Sequence, residues 1–393
     1  MLLATNQVVG PLMRELLADF ERAGIPCRVV AGYVETDAEP VPFEVLRACP
    51  LVKAPLWKRL GTWSLFTLES AWHLVRHRRM PSLVVTNPPF VMLLMPLLKR
   101  LFGLRYAVLV YDVYPDVGEQ MGYLKPGGWV SRIWRRLSRL AMLRAEGVIT
   151  LGSHMAETLR SHLRPGEVVD IEVIPNWADT EAVRPFPKSE NPFAREHDLE
   201  DKFVVLYAGN FGATHDIESI IEAADRLQNL PDLKFILVGG GTRAREVAHR
   251  VQHKALPNLT LLPLQPRNVY LNILAASDVA LVSLGEAYGG ASIPSKTYHF
   301  MAAGLPVLVI CGQGTELAEL VAEYRCGAHI LPHRPEDLAA AVRGFYNDRE
   351  QWGRARAAAR CAAEERFSRK QATGRYLAHL AARFGWDRPE GNT

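Results

Sequence analysis

Cysteine is scarce in this chain: five among 393 residues, Cys27, Cys49, Cys311, Cys326 and Cys361. They are odd in number, widely spaced and form no CxxC pair, so neither a disulfide framework nor a zinc site is indicated. A reducing cytoplasm is the expected compartment. Long apolar runs are missing too. No stretch reaches the roughly 18 consecutive apolar residues that span a bilayer, and the first residues lack the basic-then-apolar pattern of a signal peptide. The expectation is a soluble or peripheral protein. Acidic residues are sparse in one region only. The chain as a whole carries 46 Lys plus Arg against 42 Asp plus Glu. Arg47 to Arg144, by contrast, holds 16 basic residues and 4 acidic ones, Glu69, Asp112, Asp116 and Glu119.

That basic excess is interleaved with bulky apolar side chains, in the runs 56–63, 92–102 and 129–137. One reading is a set of helices packed on a sheet with a solvated basic face. The other is attraction to an anionic membrane surface, at about 1 kcal/mol per nearby basic residue, with the protein peripheral on the inner face of the cell membrane. Nucleic acid would also take positive charge. It is not expected as a partner, because the aromatics sit among aliphatics and no nucleic-acid module is legible.

Alternation dominates the second half. Short apolar runs begin at Phe203, Phe235, Leu259, Val279, Val307 and His329, each followed by an amphipathic stretch. Strands alternating with helices predict a parallel, doubly wound α/β sheet. Such sheets bind ligands outside the carboxyl ends of their strands. Here those ends carry Gly209-Asn210-Phe211-Gly212, Gly239-Gly240-Gly241, Gly285 through Gly290, and Gly312-Gln313-Gly314. Several glycines at one sheet edge suggest a backbone that a ligand approaches closely. The first half repeats the alternation less regularly, with runs from Leu2, Cys27, Leu83, Tyr106, Val148 and Ile171. Two Rossmann-like domains follow: residues 1–182, and 201–365. The proline-rich stretch 183–200 is predicted to be an extended linker. Residues 366–393 are expected to form a final helix packing back on the first domain. Ligand is expected between the domains.

The segment from Gly290 to Pro306 carries the clearest chemistry. Pro294 suits the first helical position, Gly304 the residue past the end, and Pro306 forbids continuation. Lys296 then falls in the first turn, where a cation opposes the helix dipole at a cost of up to ~1 kcal/mol unless an anion offsets it. Backbone N–H groups, the Ser295 hydroxyl and the Lys296 ammonium would converge as helix N-termini do on phosphate. A lysine that snorkels into solvent and binds nothing is the competing reading.

Taken together, Asn176-Trp177-Ala178-Asp179, Tyr207-Ala208-Gly209-Asn210-Phe211-Gly212, Phe235 through Gly241, Ile293-Pro294-Ser295-Lys296 and Ala302 through Val307 resemble the family-4 retaining glycosyltransferases of the GT-B fold. The resemblance is to the bacterial enzymes of O-antigen and colanic acid assembly. Thr86-Asn87-Pro88-Pro89 and Tyr111 through Asp116 resemble that group as well.

The resemblance implies transfer of a sugar from a nucleoside diphosphate donor, anomeric configuration retained, to a lipid-linked acceptor. It places the donor diphosphate against Ser295 and Lys296 and against the turn Gly209, Asn210 and Gly212, with Gly239 and Gly240 beside it and Gly10 closing from the first domain. Neither cofactor nor divalent metal is implied, and a UDP-sugar is favoured over a GDP-sugar. Lys296 and Asp112 are the implied catalytic residues, Asp112 orienting the acceptor hydroxyl unless it only forms a turn. Many relatives carry two cleft glutamates eight positions apart; at those positions this chain has Ala291 and His299. Glu316 either supplies a cleft carboxylate or only complements its helix dipole. His154 at a helix start is a weaker candidate on the acceptor side. Two other readings stay open: a nucleotide-sugar epimerase of the same fold, and a nucleotide-sugar-binding scaffold without turnover.

Overall fold

The computed structural model describes residues 1–35, 40–52, 54–212, 214–285 and 294–386. They divide into two units, one made of Met1–Asn176 with the chain from Lys370 onward, the other of Trp177–Arg369.

The first unit opens with β1 (Leu2–Thr5), β2 (Val8–Val9), α1 (Pro11–Arg22), β3 (Cys27–Ala31), β4 (Tyr33–Val34) and β5 (Glu44–Arg47). It continues through α2 (Leu56–Arg76), β6 (Ser82–Val85), α3 (Phe90–Phe102), β7 (Tyr106–Val110), α4 (Asp116–Gln120), α5 (Trp129–Arg144), β8 (Gly147–Thr150), α6 (Ser153–Ser161) and β9 (Ile171–Val173). Seven strands pair in parallel in the order β5-β3-β1-β6-β7-β8-β9. The chain steps outward from β1 to β5, then resumes on the other side of β1 with β6. Right-handed crossovers in both directions put helices on both faces. The central strands are therefore buried on both sides and read as unbroken apolar runs.

The second unit starts with a 3₁₀ turn at Lys188–Glu190 and a short helix α7 (Pro192–Glu196), then runs β10 (Phe203–Asn210), α8 (Ile217–Arg226), β11 (Leu233–Gly240), α9 (Ala244–Lys254), β12 (Leu259–Leu262) and α10 (Arg267–Ala275). After these come β13 (Val279–Ser283), α11 (Lys296–Ala302), β14 (Val307–Ile310), α12 (Glu316–Glu323), β15 (Gly327–Ile330), α13 (Pro335–Asn347) and α14 (Arg349–Glu365). The parallel order is β12-β11-β10-β13-β14-β15, so the topological switch lies between β10 and β13. Alternate residues of β10 feed two cores. Val204, Leu206 and Ala208 join Tyr298 and Phe300 of α11; Phe203, Val205 and Tyr207 join Ile217 and Ile220 of α8.

Two expectations are corrected here. Residues 183–200 are not an extended linker: Pro192 occupies the first turn of α7, Asn191 caps that helix through the amides of Phe193 and Ala194, and Val183, Phe193, Ala194 and Leu199 are core residues. Proline at a helix start removes no bond that the helix needs. The helix predicted to open at Pro294 begins instead at Lys296, with Ser295 as its N-cap.

The final helix α15 (Arg369–Phe384) belongs from Lys370 onward to the first unit. Arg105 donates to the carbonyls of Arg383 and Phe384 at 3.0 and 3.2 Å. A Cβ added to Gly147 of β8 would fall 2.6 Å from His379 Nε2, so only glycine admits the helix that closely. Among the described residues, no helix is long and apolar enough to cross a membrane.

Candidate active site

In the second unit, the switch point lies at the carboxyl end of β10. Gly209 faces Gly239 and Asn210 faces Gly240 in the β10–β11 register, and both strands run on into their glycines because no side chain forces them apart. A Cβ on Gly239 would lie 2.0 Å from the Gly209 carbonyl oxygen. Gly241, at φ +141°, would drive one into Asn210 Oδ1. Asn210 is thereby packed between the two turns, with its side-chain nitrogen 2.6 Å from where a Cβ of Gly212 would stand.

Lys296 reaches back over this turn. Its Nζ lies 2.4 Å from the Cβ position of Gly209 and 4.4 Å from the Tyr207 ring centroid. Among the described residues no carboxylate pairs with it. Burial draws its pKa down to about 8, and the cation–π contact offsets only part of that cost. His215 stands on the same turn, its pKa pushed down to about 4 by burial and then by the Lys296 charge. An ammonium held off solvent above a glycine backbone, with no counter-charge among the described residues, is an arrangement that an anion would neutralise.

The rest of the expected donor set divides. Ser295 makes no capping bond through its side chain. Two amides expected to be free are not: Thr297 and Tyr298 donate to the carbonyls of Pro294 and Ser295 at 3.1 and 3.2 Å. The later helix start tightens that turn and takes up both amides, while the Lys296 ammonium has no carboxylate partner among the described residues. His299 lies on the same helix, held neutral with a pKa near 4 by burial and by Arg267, with Asp179 opposing. Glu316 opens α12, whose N-cap Thr315 accepts from Ala318 N; with burial, its charge raises the Tyr298 phenol. Ala291 lies outside the described residues, as does most of the turn from Gly285 to Gly290.

Asp112 and Gly10 belong to the first unit. Asp112 stands two residues past the end of β7, its backbone amide 3.4 Å from Thr86 Oγ1. Burial pushes its carboxyl up to about 6, against the pull of Arg59. Arg59 lies 4.5 Å over the Trp63 ring. From Trp63 an aromatic chain continues through Phe90 at 5.5 Å to Trp134 at 5.4 Å, and Tyr114 stacks on Trp134 at 5.5 Å. Asp112, Tyr114 and Trp134 line one small cavity with Thr86. Gly10 caps α1 in an extended conformation, and a Cβ there would meet only Glu35 Oε2, at 3.9 Å. Local packing thus does not demand glycine at position 10. His154 is the second residue of α6. Among the described residues, no group of three His, Cys, Asp or Glu side chains is placed to hold a metal ion.

Resemblance to relatives that carry Arg and Lys in this turn had pointed to Asn210 and His215. Sequence reasoning missed Tyr207 and Arg59 as site residues. Tyr207 stood in the quoted motif and Arg59 in the basic run, but nothing local in the sequence joined them to Lys296 or Asp112.

Residues 189–362 match the family model described as glycosyl transferases group 1, and residues 9–177 match a glycosyl transferase 4-like domain. Between them the two models span nearly the whole sequence, and this chain belongs to the glycosyl transferases. The glycosyltransferase is 31% identical over 261 residues to the probable glycosyltransferase WbjE of Pseudomonas aeruginosa, a match covering 65% of this chain and 64% of that protein. It is 28% identical over 307 residues to the putative colanic acid biosynthesis glycosyl transferase WcaI of Escherichia coli (strain K12), covering 75% and 74%. Its two Rossmann-like units share the GT-B fold of solved structures. Anabaena Alr3699/HepE in complex with UDP-glucose superimposes with a TM-score of 0.72 at 16% identity, over 97% of this chain and 99% of that one. Sucrose-phosphate synthase (tll1590) from Thermosynechococcus elongatus gives 0.77 at 16% identity, over 98% and 100%.

Proposed function

We propose that this glycosyltransferase moves a sugar from a nucleoside diphosphate sugar, with retention at the anomeric carbon, onto a lipid-linked saccharide during assembly of a bacterial surface polysaccharide. The observation that carries the reading is the Lys296 ammonium above Gly209, paired with no carboxylate among the described residues. In the proposed reaction the bond from the anomeric carbon to the β-phosphate oxygen breaks, and the acceptor hydroxyl oxygen bonds to that carbon as it loses its proton. Charge then builds on the departing diphosphate. A cation already fixed in a partly dry turn stabilises that charge without reorganising, which is the largest catalytic term available to such a site. Support for the donor comes from HepE, solved with UDP-glucose, and for the pathway from WcaI, named for colanic acid biosynthesis. A UDP-sugar is the favoured donor, and no cofactor or divalent metal takes part.

Asp112 is assigned to the acceptor hydroxyl. Neutral below pH 6 and ionised above it, it accepts a hydrogen bond at neutral pH. The acceptor's lipid suits a protein that docks on the inner face of the cell membrane. In the first unit α2 packs on α3 and α3 on α5, and this layer exposes Trp57, Leu68 and Trp72 of α2, Leu101 of α3 and Trp129 of α5. Lys58, Arg76, Arg100, Arg132 and Arg136 are exposed among them. Two tryptophans of the basic runs do not take part: Trp63 is only 7% exposed, and Trp134 is stacked on Tyr114.

The test is to incubate purified protein with UDP- and GDP-sugars and a polyprenyl-diphosphate saccharide and to follow acceptor mass. A gain of one sugar, unaffected by excess EDTA and lost in Lys296→Ala, is the expected result. Turnover that requires magnesium, or a change in the nucleotide sugar without acceptor gain, would show the reading to be wrong.

A further inference from the structure

At the opposite edge of the second unit's sheet, beside the amino ends of β10 and β13, lies a groove of about 580 Å³. Eight residues of β10 separate that edge from the Lys296 turn, roughly 23–26 Å of extended chain. The groove is lined by Lys188, Asp278, Arg349, Trp352 and Arg356, with Pro185 and Phe186 at one side. Asp278 is fully engaged: it takes the Lys188 ammonium, accepts from Val204 N at 2.7 Å, and its carbonyl accepts from Trp352 Nε1 at 2.9 Å.

The two guanidiniums are held mainly by aromatic rings. Arg356 lies 4.7 Å over the Trp352 ring; Arg349 lies 5.6 Å over the same ring and 4.6 Å over Phe203. Neither pairs with a carboxylate among the described residues. Two arginines and a lysine therefore face one carboxylate, while Lys202 at the rim is paired with Asp232 and Glu200 and Asp201 are exposed to solvent. Charge balance is consistent with an excess of cations: the Lys188 pKa is lowered by burial and further by Arg356 and Arg349, despite its ion pair.

We infer that this groove binds a small phosphorylated sugar, its phosphate on Arg349 and Arg356 and its ring against Trp352, and that occupancy is felt by the helix carrying Lys296. Paired guanidinium forks match phosphate oxygens two at a time, and the volume suits a ligand of that size. The connection runs through Arg356. Its Nε donates to the Gly304 carbonyl at 3.1 Å, one helical turn further along α14 Arg360 holds the Ala302 carbonyl, and α11 packs on α14. Gly304 also abuts the groove, since a Cβ there would lie 3.2 Å from Pro185 Cγ. Lys296 begins the helix that these carbonyls end. A phosphate drawing on Arg356 changes the hold on that end, and any coupling to anion binding at the other is reciprocal.

Calorimetry of the full chain with glucose 6-phosphate and with inorganic phosphate tests the site without relying on transferase activity. Lys296→Ala removes the turn's cation and should retain one-to-one binding of glucose 6-phosphate. Arg349→Ala, at an exposed side chain, should weaken it at least tenfold with the fold retained. Binding that vanishes in Lys296→Ala and survives in Arg349→Ala would place the anion only at the turn and overturn the proposal. Inorganic phosphate binding as tightly as glucose 6-phosphate would overturn the sugar assignment. For the coupling, amide exchange at Ala303, Gly304 and Leu305, whose N–H groups bond back into α11, should change on saturation with glucose 6-phosphate in the parent and not in Arg349→Ala. No change in the parent would overturn that part.

Discussion

At Lys296 the energetic balance is legible in one side chain. Its pKa of about 8 reflects burial, so an arriving diphosphate favours the protonated form and raises that value. Binding of UDP should therefore take up a proton near pH 8, and affinity should fall as pH rises above 8; titration calorimetry in buffers of different ionisation enthalpy measures both. Lys296→Ala should lower kcat/KM on the order of 10²- to 10³-fold, as loss of one preorganised electrostatic contact does, with the melting temperature held. A threefold change or less would argue that the ammonium does not meet the leaving group. Lys296 was readable from sequence because Gly304 and Pro306 fix where its helix stops, which puts the lysine near the start. Tyr207 was not, because its proximity to Lys296 is created by β10 and β13 pairing side by side. Arg59 was hidden for another reason: it is near Asp112 only through the packing of α2 against the strand ends, and within its own run it looks like one more surface cation.

The two glycines of the β10–β11 turn separate function from folding at the scale of the element. A Cβ on Gly209 meets the far end of a flexible lysine, at 2.4 Å, whereas a Cβ on Gly239 meets backbone oxygen at 2.0 Å. Gly209→Ala should therefore fold with near-parental stability and lose donor binding as Lys296 swings away. Gly239→Ala should lower stability by several degrees of melting temperature, since neither strand can yield without breaking the register. Equal melting temperatures for the two variants would contradict this account. The same turn and α11 set a pH dependence. His215 and His299 have pKa values near 4 in the folded chain against about 6.5 when unfolded. Between those values the unfolded state binds more protons, so stability rises with pH through that window and is lost as pH falls from 6.5 toward 4. His299→Gln should flatten the melting-temperature profile between pH 4 and 6.5 and leave it unmoved above pH 7. Helix α11 also shows where element boundaries escape sequence reading. Proline at 294 suited a helix start, but the carbonyls of Pro294 and Ser295 are taken by a tighter first turn. Strand β5 was missed outright, because Glu44–Arg47 is a half-exposed edge with no apolar run to mark it.

For the whole molecule, the doubly wound character of both units was readable because buried parallel strands are apolar throughout, while the division after Asn176 was not. A run of prolines reads as linker, yet Asn191 caps a helix through two amides and Phe193 and Ala194 enter the core. The apolar, basic layer of α2, α3 and α5 carries the last prediction. Several of the basic residues counted in that region are already spent inside the unit: Arg139 pairs with Glu167, Arg135 with Asp116 and Glu119, and Lys99 with Glu146. On the outer face Lys58, Arg76, Arg100, Arg132 and Arg136 pair with no carboxylate among the described residues, and they lie beside Trp57, Trp72 and Trp129, which are 69%, 59% and 70% exposed. Burying such rings in the headgroup region stabilises docking through area, and these cations add about 1 kcal/mol each at an anionic surface. Sedimentation with vesicles should accordingly increase with anionic lipid content and weaken as salt shortens the Debye length from ~10 Å at 0.1 M toward 3 Å at 1 M. Replacing Trp57, Trp72 and Trp129 together should abolish the residual binding at high salt without moving the melting temperature. Replacing Trp63 and Trp134, which hold the aromatic chain beside Asp112, should instead destabilise the fold. Equal recovery in the supernatant with neutral and acidic vesicles would mean that the face is simply a solvated surface.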